Sequence, residues 1–239
     1  WLSRKIDYPL AMPDALQINF TFLCNLRCKM CSQYERLESF KAQQRQYEIA
    51  IPTMKKMIKE ASQMRISSLI LIGGEPFLEP RLFELVSYAR ECGIHGITVV
   101  TNGTLMPEDV VNKMFKSDLP NLSISIDASS EETYSKIRGE RVFNKVVANI
   151  NFLNDMKQRF GRSAPSIVCV CTIMNQNLQE LLEVVHLCRR LKVSRIIFQP
   201  VVADNTDQAD PDFTSPTFVP PQRLAILNSE IDALIEYKK

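Results

Sequence analysis

The feature that most constrains this chain of 239 residues is an alternation of two periodicities. Short apolar, β-branched runs stand at Leu16–Leu23, Ser68–Gly73, Ile97–Thr101, Leu122–Asp127, Ile167–Met174 and Arg195–Val201. Most are apolar on both sides, which suits strands of a parallel sheet covered on both faces. Stretches with helical spacing lie between them. Arg81–Cys92 carries Leu82, Leu85, Val86 and Ala89, and Val142–Phe160 carries Val146, Val147, Ile150, Leu153 and Met156. Leu178–Leu191 carries Leu181, Leu182, Val185 and Leu187, and Glu108–Lys116 follows Pro107, a residue that fits a helix start. A last helix is expected from about Gln222 to Tyr237. Strand followed by helix, six times over, describes an α/β fold of right-handed crossovers. Periodicity alone does not choose between an open doubly wound sheet and a partial barrel.

Hydrophobic residues make up 45% and charged residues 23%, the proportions of a folded chain rather than a disordered or fibrous one. Lys and Arg number 29 against 27 Asp and Glu, a net charge of +2 that gives no electrostatic case for a nucleic-acid or membrane partner. No apolar run reaches the roughly 18 to 20 residues that span a bilayer. No basic segment followed by an apolar stretch marks a retained signal peptide. The chain opens on Trp1 rather than Met, as a processed or cropped piece would. Two stretches interrupt the rhythm. Ser32–Ile51 is charged and Gln-rich, and Ala203–Gln222 holds Pro211, Pro216, Pro220 and Pro221. The second reads as a long loop after the sixth strand, where parallel α/β folds carry their chemistry. It is either a substrate lid or a plain connector.

The cysteines are placed unevenly. Cys24, Cys28 and Cys31 crowd into eight residues, with C-x3-C-x2-C spacing, directly after the first strand. A secreted disulfide scaffold is shorter and richer in cysteine, so the crowding reads as a metal or cluster site in a reducing compartment. Three thiolates can ligate three irons of a four-iron cluster, which normally takes four cysteines. The open corner would admit a co-substrate, whereas structural zinc would bring a second C-x2-C pair. Cys92, Cys169, Cys171 and Cys188 lie in apolar segments and read as packing. Gly73-Gly74-Glu75-Pro76 closes the second strand, and adjacent glycines let a backbone approach a ligand. Ser123, Ser125 and Asp127 alternate with Leu122, Ile124 and Ile126, which puts the polar three on one face. Gln17, Asn19 and Thr21 repeat the pattern on the first strand.

On these residues the chain resembles the radical SAM superfamily. The cysteine loop, Gly73-Gly74-Glu75-Pro76, Thr101-Asn102-Gly103-Thr104 and Ser125-Ile126-Asp127 follow in the family's order, over roughly residues 15 to 200. The resemblance implies a partial (β/α)6 barrel. Its core would span 14–202, between a lead-in at 1–13 and a loop with a C-terminal helix at 203–239. It implies a [4Fe-4S] cluster on Cys24, Cys28 and Cys31, with S-adenosylmethionine (SAM) chelating the open iron. Reductive cleavage would then give a 5′-deoxyadenosyl radical that abstracts hydrogen from a peptide, protein or small molecule, as an oxidoreductase or in other radical chemistry.

By family position the Gly73 and Gly74 carbonyls serve the SAM ammonium, in a cofactor-binding turn that Pro76 completes and that Glu75 serves by charge or by bracing the loop; Ser125 and Asp127 serve the ribose, and Arg138 the carboxylate, with Arg141 as competitor. Asn102 and Thr104 are further inward contacts, Asn177 is either a helix cap or a contact, and Met30 stands where the family often has an aromatic. No catalytic side chain is singled out. An electron donor such as flavodoxin or ferredoxin, and a cytoplasmic location, are implied as well. Pro220-Pro221 before the last helix resembles members that continue into a cysteine-rich SPASM or twitch extension. The competing reading is a non-catalytic iron–sulfur or metal-binding module for electron transfer.

Overall fold

The computed structural model describes residues 13–31, 48–200 and 223–238. Six strands, β1 (Ala15–Thr21), β2 (Ser68–Gly73), β3 (Gly96–Thr101), β4 (Asn121–Ser125), β5 (Ser166–Ile173) and β6 (Arg195–Pro200), form one sheet. Neighbours in the sheet are neighbours in the chain, and every pair is parallel. Parallel pairing in chain order forces a return crossover between strands. Helices α1 (Ile51–Gln63), α2 (Leu82–Glu91), α3 (Glu108–Lys116), α4 (Glu131–Arg138), α5 (Phe143–Arg159) and α6 (Leu181–Arg190) supply these, and α7 (Leu224–Lys238) follows β6. Strands β1 and β6 remain as edges, so the sheet is an unclosed partial barrel.

Register explains how the two faces differ. Ile18, Leu71, Val99, Leu122 and Ile167 are matched across five successive strands, and all are buried beneath the helices. Burying an aliphatic side chain of this size stabilises by about 1.5–3 kcal/mol. The helices answer with their own stripes. Met54, Ile58 and Ala61 are buried on α1, and Phe143, Val146, Ile150, Leu153 and Met156 on α5. These positions recur at three or four residues, one face of a 3.6-residue period. Cys169, Cys171 and Cys188 are buried in this same layer as small apolar groups. The alternate positions Ile72, Val100, Ser125, Val170 and Thr172 turn the other way and line a cavity.

Some predicted boundaries move. Strand β1 stops at Thr21 rather than Leu23, and β4 stops at Ser125 rather than Asp127, because both chains turn there into the cavity rim. The expected helix from Leu178 opens as a 3-10 turn over Leu178–Glu180. Gln17 and Asn19 are exposed, while Thr21 is buried. The lead-in up to 12, the Gln-rich stretch over 32–47 and the Pro-rich loop over 201–222 lie outside the described residues.

Helix α4 has no counterpart in the apolar periodicity. Its termini hold it instead. Ser130 Oγ accepts from the Thr133 N–H at 3.3 Å, and Glu131 and Glu132 occupy the first turn. Lys136 and Arg138 occupy the last turn, and Gly139 ends the helix at φ +77. A side-chain N-cap, acids at the positive end, bases at the negative end and a left-handed glycine all favour the helix.

Candidate functional site

A cavity of about 270 Å³ opens at the carboxyl ends of the strands. One wall is the cysteine loop, through Cys24, Leu26, Cys28, Met30 and Cys31. The loop is tightened internally by the Cys31 N–H, which donates to the Cys28 carbonyl at 3.0 Å, and by the Leu26 N–H, which donates to Cys24 Sγ at 3.4 Å. Cys28 is buried, Cys24 half-buried and Cys31 exposed. Burial pushes the Cys24 and Cys28 thiols above their ordinary pKa, and the Arg138 charge pulls Cys28 partly back.

Two latches hold this loop to the barrel. At one end Asn102 Nδ2 donates to Asn25 Oδ1, and Asn25 Nδ2 donates to Thr104 Oγ1, both at 2.9 Å. Asn102 Oδ1 accepts in turn from the Thr104 N–H at 2.9 Å, which fixes the amide for that pairing. At the other end the Lys29 N–H donates to the Ile137 carbonyl at 3.0 Å, using an acceptor that the end of α4 leaves open. A Cβ on Gly139 would crowd the Arg27 carbonyl, so glycine is needed there for space as well as for its positive φ.

The Gly73-Gly74-Glu75-Pro76 turn sits against the end of β1. The Gly74 N–H donates to the Thr21 carbonyl at 2.6 Å. A Cβ at Gly73 would collide with the Thr21 carbonyl, and one at Gly74 with that of Leu23, so the close approach itself selects glycine. Glu75 is 0% exposed and points away from the cavity. Its Oε1 accepts from Thr101 Oγ1 at 2.7 Å and from the Phe77 N–H at 3.1 Å, and its Oε2 accepts from the Asn102 N–H at 2.8 Å. Burial raises its pKa against these three bonds.

Asp127 is also fully buried. Its Oδ1 accepts from the Thr172 N–H at 2.8 Å, and its Oδ2 pairs with Arg138 Nη2. Arg138 Nη1 donates to Cys28 Sγ at 3.6 Å. Burial works against the guanidinium charge, but Asp127, then Cys28 and Tyr134, outweigh it and hold the Arg138 pKa well up.

Of the residues singled out from sequence, the three cysteines, Gly73, Gly74, Asn102, Ser125 and Arg138 line one cavity. Glu75, Pro76 and Asp127 do not, being turned into the packing around it. Asn177 caps no helix through its side chain. It donates to the Asp127 carbonyl at 2.7 Å and the Thr172 carbonyl at 2.8 Å, tying β5 to the end of β4. Sequence reading missed Ile72, Val100, Val170, Thr172 and Gln199 as lining residues. Continuing the alternation used for β4 along the other strands would have found them. Met30 lines the cavity and packs on Ile137 and Met174.

Among the described residues, no three His, Cys, Asp or Glu side chains are gathered closely enough to hold a single metal ion. No helix of the described residues is long and apolar enough to cross a membrane.

Comparison with known proteins gives the same answer as the motifs. The chain is 28% identical over 200 residues to an AdoMet-dependent heme synthase of Methanosarcina barkeri, covering 83% of this chain and 54% of that protein. It is 26% identical over 183 residues to a probable GTP 3′,8-cyclase of Saccharolobus islandicus, covering 77% and 55%. The chain thus spans about half the length of these relatives. Its fold is similar to that of Streptococcus suis SuiB bound to S-adenosylmethionine, with a TM-score of 0.74 at 17% identity over 100% of this chain and 51% of SuiB. SuiB has also been solved with its precursor peptide SuiA. The radical SAM family model matches residues 18–188, and with its cysteine loop and glycine turn meeting at one cavity the chain belongs to the radical SAM superfamily, whose cofactors are a [4Fe-4S] cluster and SAM.

Proposed function

We propose that this chain is the core of an enzyme in which Cys24, Cys28 and Cys31 hold the [4Fe-4S] cluster and the adjoining cavity takes SAM. The observation that carries the reading is a shared wall. Three thiols, two glycines whose backbone is bare of side chains, and the buried Arg138 guanidinium meet around one space. The donor set fits the group: thiol sulfurs for iron, carbonyls at Gly73 and Gly74 for an ammonium, the Ser125 hydroxyl for a ribose, and a guanidinium edge for a carboxylate. When bound, the two cofactors supply reductive cleavage of SAM and hydrogen-atom abstraction by the 5′-deoxyadenosyl radical.

The chain's own residues orient and shield. Glu75 holds the glycine turn against β3, and Asp127 holds Arg138, so both act as positioning residues. Ile72, Val100 and Val170 make the inner wall apolar, which keeps water from the reacting centre. The substrate is a peptide, protein or small organic molecule, the electron donor a flavodoxin- or ferredoxin-type carrier, and the setting a reducing cytoplasm. The core runs over 14–202, flanked by 1–13 and 203–239.

Anaerobic reconstitution followed by dithionite and SAM tests the reading, with release of 5′-deoxyadenosine expected. A cluster that reduces without releasing it would favour the electron-transfer module instead. Ser125→Ala is expected to weaken SAM binding and leave the fold intact, and an unchanged affinity would remove the ribose role.

A further inference from the structure

We infer that the buried Asp127–Arg138 pair is an electrostatic support for the cluster ligand Cys28, which sets the charge felt by that sulfur and so the reduction potential of the cluster. The inference rests on the cluster site proposed above and goes beyond any contact with SAM.

The geometry is unusual for an arginine. Arg138 is 7% exposed, and its guanidinium is held on several sides. Nη2 pairs with Asp127, Nη1 faces Cys28 Sγ at 3.6 Å, and the carbon Cζ lies 5.9 Å from the Tyr134 ring centroid. Nε is buried without a partner, so the group is not fully spent on structure. Asp127 is itself 0% exposed and is fixed from behind by the Thr172 N–H. Nothing in this arrangement resembles a solvated surface pair, so salt screens it little.

The neighbour is a sulfur. Hydrogen bonds to cluster sulfurs, net charge and solvent exposure are the levers that set iron–sulfur potentials. A cation and an N–H donor beside a thiolate favour the reduced, more negative form, so Arg138 raises the potential. Asp127 opposes it, because its carboxylate offsets part of the guanidinium charge. The two residues therefore act with opposite sign on one atom, while both serve the same packing. That opposition separates the inference from a purely structural role.

The test uses the full chain, reconstituted anaerobically without SAM and compared at equal iron and sulfide content. The readout is the cluster's reduced fraction, followed by EPR during a redox titration. Arg138→Gln is expected to lower the reduced-to-oxidised ratio about tenfold at the wild-type midpoint, which is about 59 mV more negative for a one-electron couple. Arg138→Lys keeps the charge and is expected to fall between the two. Asp127→Asn leaves the guanidinium uncompensated and is expected to shift the midpoint the other way. If Arg138→Gln loads poorly, the Lys and Asn variants carry the comparison. Wild-type potentials in the Arg138 variants, or shifts of the same sign for Arg138→Gln and Asp127→Asn, overturn the inference. A wild-type chain that takes up no [4Fe-4S] cluster overturns the proposed site and this inference with it.

Discussion

Glu75 offers the sharpest test of how the site is held. Its carboxylate is fully buried and accepts from the Asn102 and Phe77 N–H groups and from the Thr101 hydroxyl. The hydroxyl can rotate towards another acceptor, but the two backbone donors cannot. Each buried donor left without a partner costs about 1–3 kcal/mol. Glu75→Ala is therefore expected to destabilise by about 2–5 kcal/mol. The lower end reflects relief of a buried carboxylate, whose raised pKa records a desolvation cost. Glu75→Gln keeps the size and one accepting oxygen but turns an NH2 group towards a donor, so about 1–3 kcal/mol is expected. Urea unfolding of the metal-free chain measures both variants, and SAM affinity of the cluster-loaded chain is read alongside. An Ala variant within about 0.5 kcal/mol of wild type would refute the bracing argument, since that is the size of an ordinary surface substitution. A loss of SAM affinity with no loss of stability would mean that the carboxylate meets the ligand instead.

Gly74→Ala is expected to lower the melting temperature, because its Cβ would meet the Leu23 carbonyl and force the turn away from the segment that follows β1, at about 1–3 kcal/mol for overpacking. An unchanged melting temperature would show that the turn has room for a side chain. Glu180 supplies a pH test. Burial works to raise its pKa, but hydrogen bonds from Thr133, Ser129 and Ser130 prevail and hold it below 4.5. A lowered carboxyl pKa contributes stability that is present above the unfolded value and lost as pH falls through the folded one. The wild-type advantage over Glu180→Gln in unfolding free energy is thus expected to be constant at neutral pH and to shrink below 4.5. A difference that stays constant through that range would refute the assignment.

The parts legible in the sequence are those where the local pattern carries the physics. The row Ile18, Leu71, Val99, Leu122 and Ile167 needs only alternation and a covering layer. The cysteine loop and the glycine turn need residue types that few other purposes demand at that spacing. Helix α4 was not legible, because it buries only Tyr134, Ile137 and Arg138 and is written in its caps. The latches were not legible because their partners are distant in the chain: Asn25 with Asn102, and Lys29 with Ile137. Asp127 is a mixed case. Alternation assigned it to the inner face of β4, but the strand ends at Ser125, and the carboxylate closes on Arg138 and the Thr172 N–H. Its residue type was informative, while its partners depend on where the strand stops.

The two latches also bear on why a short polar helix stands between β4 and α5. The cysteine loop has little apolar surface of its own, with Leu26 and Cys28 its buried members. A loop of that kind keeps one shape only if rigid neighbours satisfy its backbone. The end of β3 fixes one side through the Asn102 amide. The end of α4 fixes the other, because a helix C-terminus presents unpaired carbonyls at a set spacing and Ile137 offers one to Lys29. The same helix end delivers Arg138 to Cys28, so anchoring the loop and charging its buried sulfur are one structural event. Cys31, by contrast, is exposed and lines the cavity. A cluster held on these three sulfurs would therefore have a buried cation beside Cys28 and the open cavity beside Cys31. The Asp127–Arg138 pair, inferred above to tune the potential, reaches the loop from its buried side, through Cys28.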